Sequence, residues 1–488
     1  MSTSWARALI QTKAVADKHE DEHVAPSGGL HRSLGLMPLT LIGVGATIGT
    51  GIFFTMAEAV PKAGPSVILA FLLAALTAGL TALCYAELSF RIPASGSSYS
   101  FAYATVGEFA AYIVAFCLLL EYGLAASATA IGWSDYLNNF LMNTVGWQIP
   151  DMLRKPMIVA TPQGVQWVSG QFNLAPVVLV ALCGVLLARG TRESTTTNTV
   201  MVIIKLGILA FFAAVALTGF KAEHFTPFFN TDTAHGLAGM SGVTAAAATV
   251  FFSFIGLDTV ATAGEEARNP RRTVPRALLL ALVIVTVFYM AVAVAAIGAQ
   301  PAAQFAGQEA GLAVILQNVT GQAWPAQVLS AGAVISVFSV TLVTLYGQTR
   351  ILYAISRDGL APPLFQRLHS KTQTPVLNTA VVCAVVAVVA GLVDSTLLWD
   401  MVSMGTLTAF IVVSLAVPVI RKRAPHSGEG GFQVPFGPYL IPGLSIFACV
   451  YIMKDLSGTT FRVFAVWMAV AVLTYLAWGI RHSKLRAR

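Results

Sequence analysis

The chain has 488 residues, of which 56% are hydrophobic and only 10% charged, against about 25% charged in an ordinary soluble domain. Its formal net charge at pH 7 is +7. These figures exclude a soluble globular enzyme, a disordered tail protein and a secreted disulfide scaffold, and they describe one continuous body dissolved in lipid.

Residues 1–35 carry charges of both signs before any apolar run, unlike the short basic start and cleavage site of a signal peptide. Within them, Trp5–Val15 has a weak amphipathic pattern. A spanning helix needs about 20 mostly apolar residues. Twelve stretches qualify, near 36–60, 64–89, 107–136, 173–189, 198–220, 239–264, 277–299, 323–353, 376–393, 397–420, 437–454 and 462–480. The longest gap, 137–172, holds several polar residues and prolines and reads as a surface loop or short interfacial helix. The five cysteines, Cys84, Cys117, Cys183, Cys383 and Cys449, all fall inside apolar stretches. They are too dispersed for a disulfide framework and lack metal-site spacing.

Orientation follows from the basic residues. With a cytoplasmic N-terminus, 22 of the 29 Lys and Arg fall on the inner side, six on the outer side, and Lys205 inside a span. Both termini are then cytoplasmic. The basic balance reflects this asymmetry and not a nucleic-acid partner.

Two stretches are interrupted. The first contains Gly43, Gly45, Gly49 and Gly51, each destabilising a helix interior by about 1 kcal/mol relative to Ala. The sixth contains Ser253-Phe254-Ile255-Gly256-Leu257-Asp258, a glycine and a carboxylate in mid-span. The interruptions are five helices apart, and an odd number of helices per half inverts the second half in the membrane. That is the pointer to an inverted repeat of five plus five with a binding site at the two breaks. The organisation is then a cytoplasmic segment 1–35, a first repeat 36–220, a second repeat 221–424, and helices 11 and 12 with a cytoplasmic tail in 425–488. Unwound backbone at mid-membrane must face protein or a water-filled cavity, and freed N–H groups at the start of the second half-helix suit a carboxylate. A glycine packing face is the alternative for the first stretch alone.

Gly43-Val-Gly-Ala-Thr-Ile-Gly-Thr-Gly-Ile-Phe53 resembles the first-helix signature of amino acid–polyamine–organocation (APC) superfamily permeases. Phe251-Phe-Ser-Phe-Ile-Gly-Leu-Asp258, with Glu265-Glu-Ala-Arg-Asn-Pro-Arg-Arg272, resembles the matching sixth helix and inner loop. Tyr346-Gly-Gln-Thr-Arg350 and Ser356-Arg-Asp-Gly-Leu360 resemble the end of helix eight in the cationic amino acid transporter branch, here in its bacterial twelve-helix form. The resemblance implies an all-α integral membrane protein of twelve transmembrane helices. Its fold is of the leucine-transporter type, with discontinuous helices 1 and 6.

Ionisable residues inside spans are functional candidates, because a charge at the bilayer centre costs about 2.5–3.5 kcal/mol on insertion scales. They are Glu121 in the third stretch, Lys205 in the fifth and Asp258 past the sixth-helix break; a structural ion pair between two of them is the competing reading. The resemblance places Glu121 in the substrate region and Lys205 where sodium-coupled members bind an ion. Glu58 and Glu87 lie near helix ends within reach of interfacial water, and Glu265, Glu266, Arg268, Arg271 and Arg350 read as ordinary inner-loop charges. Asn318-Val-Thr320 fits a glycosylation acceptor pattern only by its short match.

The expected function is secondary active transport of α-amino acids, cationic or broadly neutral, by alternating access with proton symport. Amino acid exchange, sodium symport and non-transporting sensing are the alternatives. Freed N–H groups around Gly49, Thr50 and Gly51 would hold the carboxylate. Carbonyls of Ile48, Phe252, Ser253 and Ile255 would hold the ammonium, with Phe254 closing the site and Glu121 beside it. Lys205 and Asp258 would carry proton coupling. Partners are the amino acid substrate, protons and membrane lipid, with no nucleic acid; a small membrane subunit or a second copy is compatible. No catalytic constellation, metal spacing or phosphate loop is present in the sequence, so neither an enzyme nor a cofactor is expected. The cell (plasma) membrane is the expected location.

Overall fold

The computed structural model describes residues 34–49, 51–92, 97–161, 164–189, 195–230, 239–262, 267–370, 374–425 and 431–484, with residues 12 and 372. Most of the described residues are helical. Among the described residues, eight helices are long and apolar enough to cross a membrane, and five shorter ones of 10–17 residues are also apolar.

The first stretch is two helices, α1 (Leu36–Thr47) and α2 (Gly51–Ala63), followed by α3 (Val67–Arg91). Next come α4 (Ser97–Thr105), α5 (Glu108–Val145), α6 (Leu174–Ala188) and α7 (Thr195–Ala216). The sixth stretch is also divided. Helix α8 (Met240–Phe251) passes through a 3-10 turn at Phe252–Phe254 and a non-helical link to the short α9 (Thr259–Thr262). The remaining helices are α10 (Pro270–Ala299), α11 (Gly311–Thr320), α12 (Ala323–Arg357), α13 (Val376–Leu392), α14 (Ser395–Arg423), α15 (Gly437–Met453) and α16 (Gly458–Thr474). Proline stands in the first turn of α10 and α15, where its missing N–H has no intrahelical partner to lose. Side-chain caps start α14, where Asp394 accepts from Thr396 N at 3.1 Å, and α16, where Ser457 accepts from Thr460 N at 3.1 Å.

Two packed groups meet at the breaks. One core joins α1, α2, α3, α8 and α10; a second joins α5, α6, α12 and α13, with Leu398–Val402 of α14. Phe252 of the sixth-helix break belongs to the second core, and its neighbours Phe251 and Phe254 to the first. The broken segments therefore lie where the two groups touch.

The region 137–172, expected as a surface loop or short interfacial helix, holds a short helix at Asp151–Arg154 and further structure besides. Helix α5 continues to Val145, and Ile158–Thr161 (β1) pairs antiparallel with Gly164–Trp167 (β2), with Ile158 opposite Trp167. The asparagines that lower hydropathy after residue 136 have tertiary partners. Asn138 Oδ1 accepts from Ile149 N at 2.9 Å and Asn139 Oδ1 from Ser330 Oγ at 2.9 Å. Glu87 also differs from its reading as a group within reach of interfacial water. It is fully buried and accepts from Arg91 Nε at 2.9 Å, Arg421 Nε and Nη2 at 2.7 and 2.6 Å, and Val434 N at 2.7 Å. A buried carboxylate needs such compensation, and Arg421 supplies its part from a helix 334 positions away in sequence.

Candidate functional site

Helix α1 ends where its hydrogen-bond ladder turns aside. Ile48 N still bonds Val44 O at 2.8 Å, but Gly49 N bonds Thr47 O at 2.7 Å. Gly45 O thereby loses its i+4 donor. Lys205 Nζ, on α7 and 2% exposed, donates to that carbonyl at 2.9 Å. The ammonium thus meets a carbonyl that the helix break frees, as its three donors permit.

A second side chain joins the breaks. Tyr289 of α10 is fully buried, and its hydroxyl lies 2.9 Å from Thr47 O and 2.7 Å from Ser253 O. One phenolic proton is shared between the ends of α1 and of the Phe252–Phe254 turn. Sequence reasoning missed Tyr289; the available signal was a lone tyrosine in the apolar run Val287-Phe-Tyr-Met290, because a buried hydroxyl requires a partner.

Two glycines let the breaks approach each other. Gly256 has φ +97°, and a Cβ there would lie 2.7 Å from Ala46 O. At Gly51 a Cβ would lie 2.5 Å from Ser253 Cα. The contacts are reciprocal: the second half of each interrupted segment touches the end of the first half of the other. Gly43 and Gly45 remain inside α1; a Cβ on Gly43 would collide with Val260 of α9 and meet Ala281 of α10 at 3.1 Å. Gly43 serves close packing, whereas Gly45 gives its carbonyl to Lys205.

A cavity lies against the breaks. Its wall includes Gly49, Gly51, Phe252, Ile255 and Gly256 of the breaks and Glu121, Ala125 and Thr129 of α5. Val340, Val343 and Thr344 of α12 complete one side. Glu121 is 2% exposed and is the one carboxylate in this lining. Asp258 is outside the lining and 5% exposed, with the Tyr122 hydroxyl 3.5 Å from its Oδ2. The first turn of α2 begins at Gly51, so its N–H groups lack intrahelical acceptors.

The predicted residues divide accordingly. Gly49, Gly51, Glu121, Phe252 and Ile255 line the cavity, and Thr50 lies outside the described residues. Ile48 is fully buried and not part of the lining. Ser253 and Phe254 are not among the lining residues. Ser253 packs on Gly51, lies 3.3 Å from Thr55 Oγ1 and gives its carbonyl to Tyr289, and Phe254 sets its ring edge-on to Tyr289 at 5.2 Å. The 3-10 turn aims consecutive side chains in different directions, so only one of the three phenylalanines faces the cavity. That ring, Phe252, meets Trp399 of α14 edge-to-face at 4.3 Å, and Trp399 stacks on Phe54 at 6.4 Å. Lys205 is not among the lining residues. The Thr129 and α12 positions gave no sequence signal, being ordinary small and branched residues in apolar runs. Glu265 and Glu266 lie outside the described residues.

The profile of a family described as "Amino acid permease" matches residues 34–477, nearly the whole chain. The chain belongs to this family, within the APC superfamily. The permease is 39% identical over 468 residues to the branched-chain amino acid permease BcaP of Bacillus subtilis, covering 96% of this chain and 97% of that protein. It is also 39% identical over 487 residues to the methylthioribose transporter of Bacillus subtilis, covering 99% and 100%. The human cationic amino acid transporter 4 is 33% identical over 414 residues, covering 82% of this chain and 62% of that protein. The permease is therefore a multi-pass membrane protein of amino acid transport and not an enzyme.

Proposed function

We propose that the permease is a secondary active transporter of α-amino acids, working by alternating access with proton symport. The observation that carries this reading is the cavity between two interrupted helices, lined by Gly49, Gly51, Phe252 and Ile255 with a single buried carboxylate, Glu121. The carboxylate of the substrate would meet the open N–H groups at the start of α2, where the helix dipole favours negative charge. Its ammonium would meet carbonyls of the sixth-helix break. Ala125, Val340 and Val343 would take an apolar side chain. Glu121 disfavours an acidic substrate by like-charge repulsion and tolerates a cationic one. The side-chain class is neutral or cationic, and the apolar wall favours neutral.

The wider organisation is part of the same proposal. Residues 36–220 and 221–424 form the two inverted repeats of a twelve-helix leucine-transporter-type fold, and the reciprocal contacts of Gly51 with Ser253 and of Gly256 with Ala46 support that symmetry. The basic side, with both termini, faces the cytoplasm of a cell expressing the protein in its plasma membrane. Lys205 couples the proton, and Asp258 is the second candidate.

Uptake of labelled leucine into proteoliposomes tests the reading. Accumulation should require an inward proton gradient and be indifferent to sodium. Valine and arginine should compete better than glutamate. Methylthioribose belongs in the same panel, because a relative that carries that name is as similar as BcaP; stronger competition by it than by every amino acid would replace the proposed substrate class.

A further inference from the structure

Helix α15 carries aromatic side chains on a face that no described residue covers. Tyr439, Gly443, Phe447 and Tyr451 are spaced by four and form one row along it. Tyr439 is 60% and Phe447 66% exposed, and Phe447 stacks on Tyr451 with ring centroids 5.9 Å apart. Gly443 interrupts the row. A Cβ there would meet nothing within 4 Å, so the described chain makes no use of the close approach that glycine permits in a membrane helix. The residue nevertheless destabilises the helix by about 1 kcal/mol relative to Ala. From Tyr439 to Tyr451 the row is about 18 Å long, close to the roughly 15 Å of hydrocarbon in one leaflet.

A cation stands at each end of the row. Lys422 Nζ lies 6.0 Å from the centre of the Tyr439 ring, and Lys454 Nζ 4.3 Å from that of Tyr451. Lys454 is paired with Asp455 at 3.7 Å. Among the described residues no carboxylate pairs with Lys422. Its neighbours at the end of α14 are engaged, Arg421 by Glu87 and Arg423 Nη1 by Thr105 O at 2.7 Å. They fix the helix end and leave Lys422 exposed beside the row. An apolar row of one leaflet's length with an unmatched cation at one end is complementary to an anionic amphiphile. A second helix fits less well, because helix contacts in membranes favour small residues four apart. Here the positions four before and four after Gly443 are exposed rings, between which a flexible chain passes.

We propose that this face of α15 seats an anionic phospholipid of the cytoplasmic leaflet, with the phosphate on Lys422 and the Tyr439 hydroxyl and one acyl chain over Gly443 between the rings of Tyr439 and Phe447. The orientation given above decides only which leaflet supplies the lipid. The seat is separate from the cavity: α15 packs on α14, α3 and α8, and none of its residues is in the cavity lining.

Native mass spectrometry of the purified protein tests it, with phosphatidylglycerol and phosphatidylcholine of identical chains at equal concentration. The parent should retain phosphatidylglycerol in preference. Lys422→Gln should cut that preference about fivefold, the factor that corresponds to the ~1 kcal/mol a lysine contributes near an anionic surface. Gly443→Leu should weaken both lipids alike and leave their ratio, since it fills the seat of the chain and not that of the phosphate. Lys155→Gln, in the loop bonded to the opposite end of α14, should change neither. Glycerol 3-phosphate in excess should not displace the lipid; displacement would overturn the lipid in favour of a free phosphate. Equal retention of the two lipids by the parent, or an unchanged preference in Lys422→Gln, overturns the proposal, as does a parent dimer that Gly443→Leu abolishes. If Gly443→Leu does not insert, Phe447→Ala takes its place with the same expected result. No uptake is measured, so a failed transport reading and a failed lipid seat are separate results.

Discussion

The two helix interruptions meet the same demand by different means. In the first, side chains from other helices reach the carbonyls at the end of α1: Lys205 bonds Gly45 O, and Tyr289 joins Gly49 N on Thr47 O. In the second, most partners are local. Ile255 N bonds Phe252 O at 3.2 Å, Thr259 Oγ1 bonds Gly256 O at 2.5 Å, and Ala261 N bonds Asp258 O at 2.9 Å, while Ser253 O reaches out to the same Tyr289. Unsatisfied backbone in the membrane costs several kcal/mol per group. The first break therefore depends on tertiary neighbours and the second mainly on its own sequence. A break held from outside can be released by changing one remote group, which is the property a coupling site needs.

The largest test of this contrast attacks the contact between the breaks. Gly51→Leu should abolish amino acid binding in calorimetric titrations of the purified protein, because even a Cβ meets Ser253 Cα at 2.5 Å. Near-normal affinity in a monodisperse Gly51→Leu protein would remove the breaks from the site.

Lys205 comes next, as the outside support of the first break. Lys205→Ala should abolish uptake driven by a proton gradient. Lys205→Arg keeps a donor and a fixed charge but cannot release its proton, so exchange of internal for external substrate should survive while accumulation does not. Equal pH-driven accumulation by the Arg variant and the parent would reduce Lys205 to a structural post and pass the proton to Glu121 or Asp258.

Tyr289→Phe removes a single oxygen that serves both breaks. Two buried carbonyls then lose a donor, a destabilisation of about 1–3 kcal/mol. Thermal unfolding in detergent should show the loss, and uptake should fall about tenfold for each 1.4 kcal/mol that reaches the transport step. An unchanged melting temperature would mean that the two carbonyls find other donors.

Thr259→Val should have the smallest effect, about 0.5–1.5 kcal/mol or less, because the Gly256 turn keeps its backbone bonds. The melting shift should be below that of Tyr289→Phe. A larger shift would reverse the assignment of which break is self-supporting.

Much of this was legible in the chain itself. Low charge, apolar stretches and the positive-charge asymmetry specify a lipid-dissolved helical body, because the solvent constrains composition over 488 residues. The positions of both interruptions were legible too, since glycine in a spanning helix marks either close packing or a break, and a carboxylate such as Asp258 marks protein surroundings. Which glycines did which was not: Gly43 packs within α1 against Val260 and Ala281, while Gly51 and Gly256 bring the breaks together. That division depends on what lies opposite each position, and no local pattern records it.

Tertiary structure alone decided the partners. Phe252, Ser253 and Phe254 are adjacent in sequence, yet one faces the cavity and two face Gly51 and Tyr289. Tyr289 serves residues 242 and 36 positions away, and Glu87 receives Arg421 across 334. Hydropathy sees each of these as one residue in an apolar or charged run. The physical reason is that composition is set by the average surroundings of a segment, whereas a hydrogen bond or ion pair is set by the meeting of two particular atoms, which only the packed chain brings within about 3 Å.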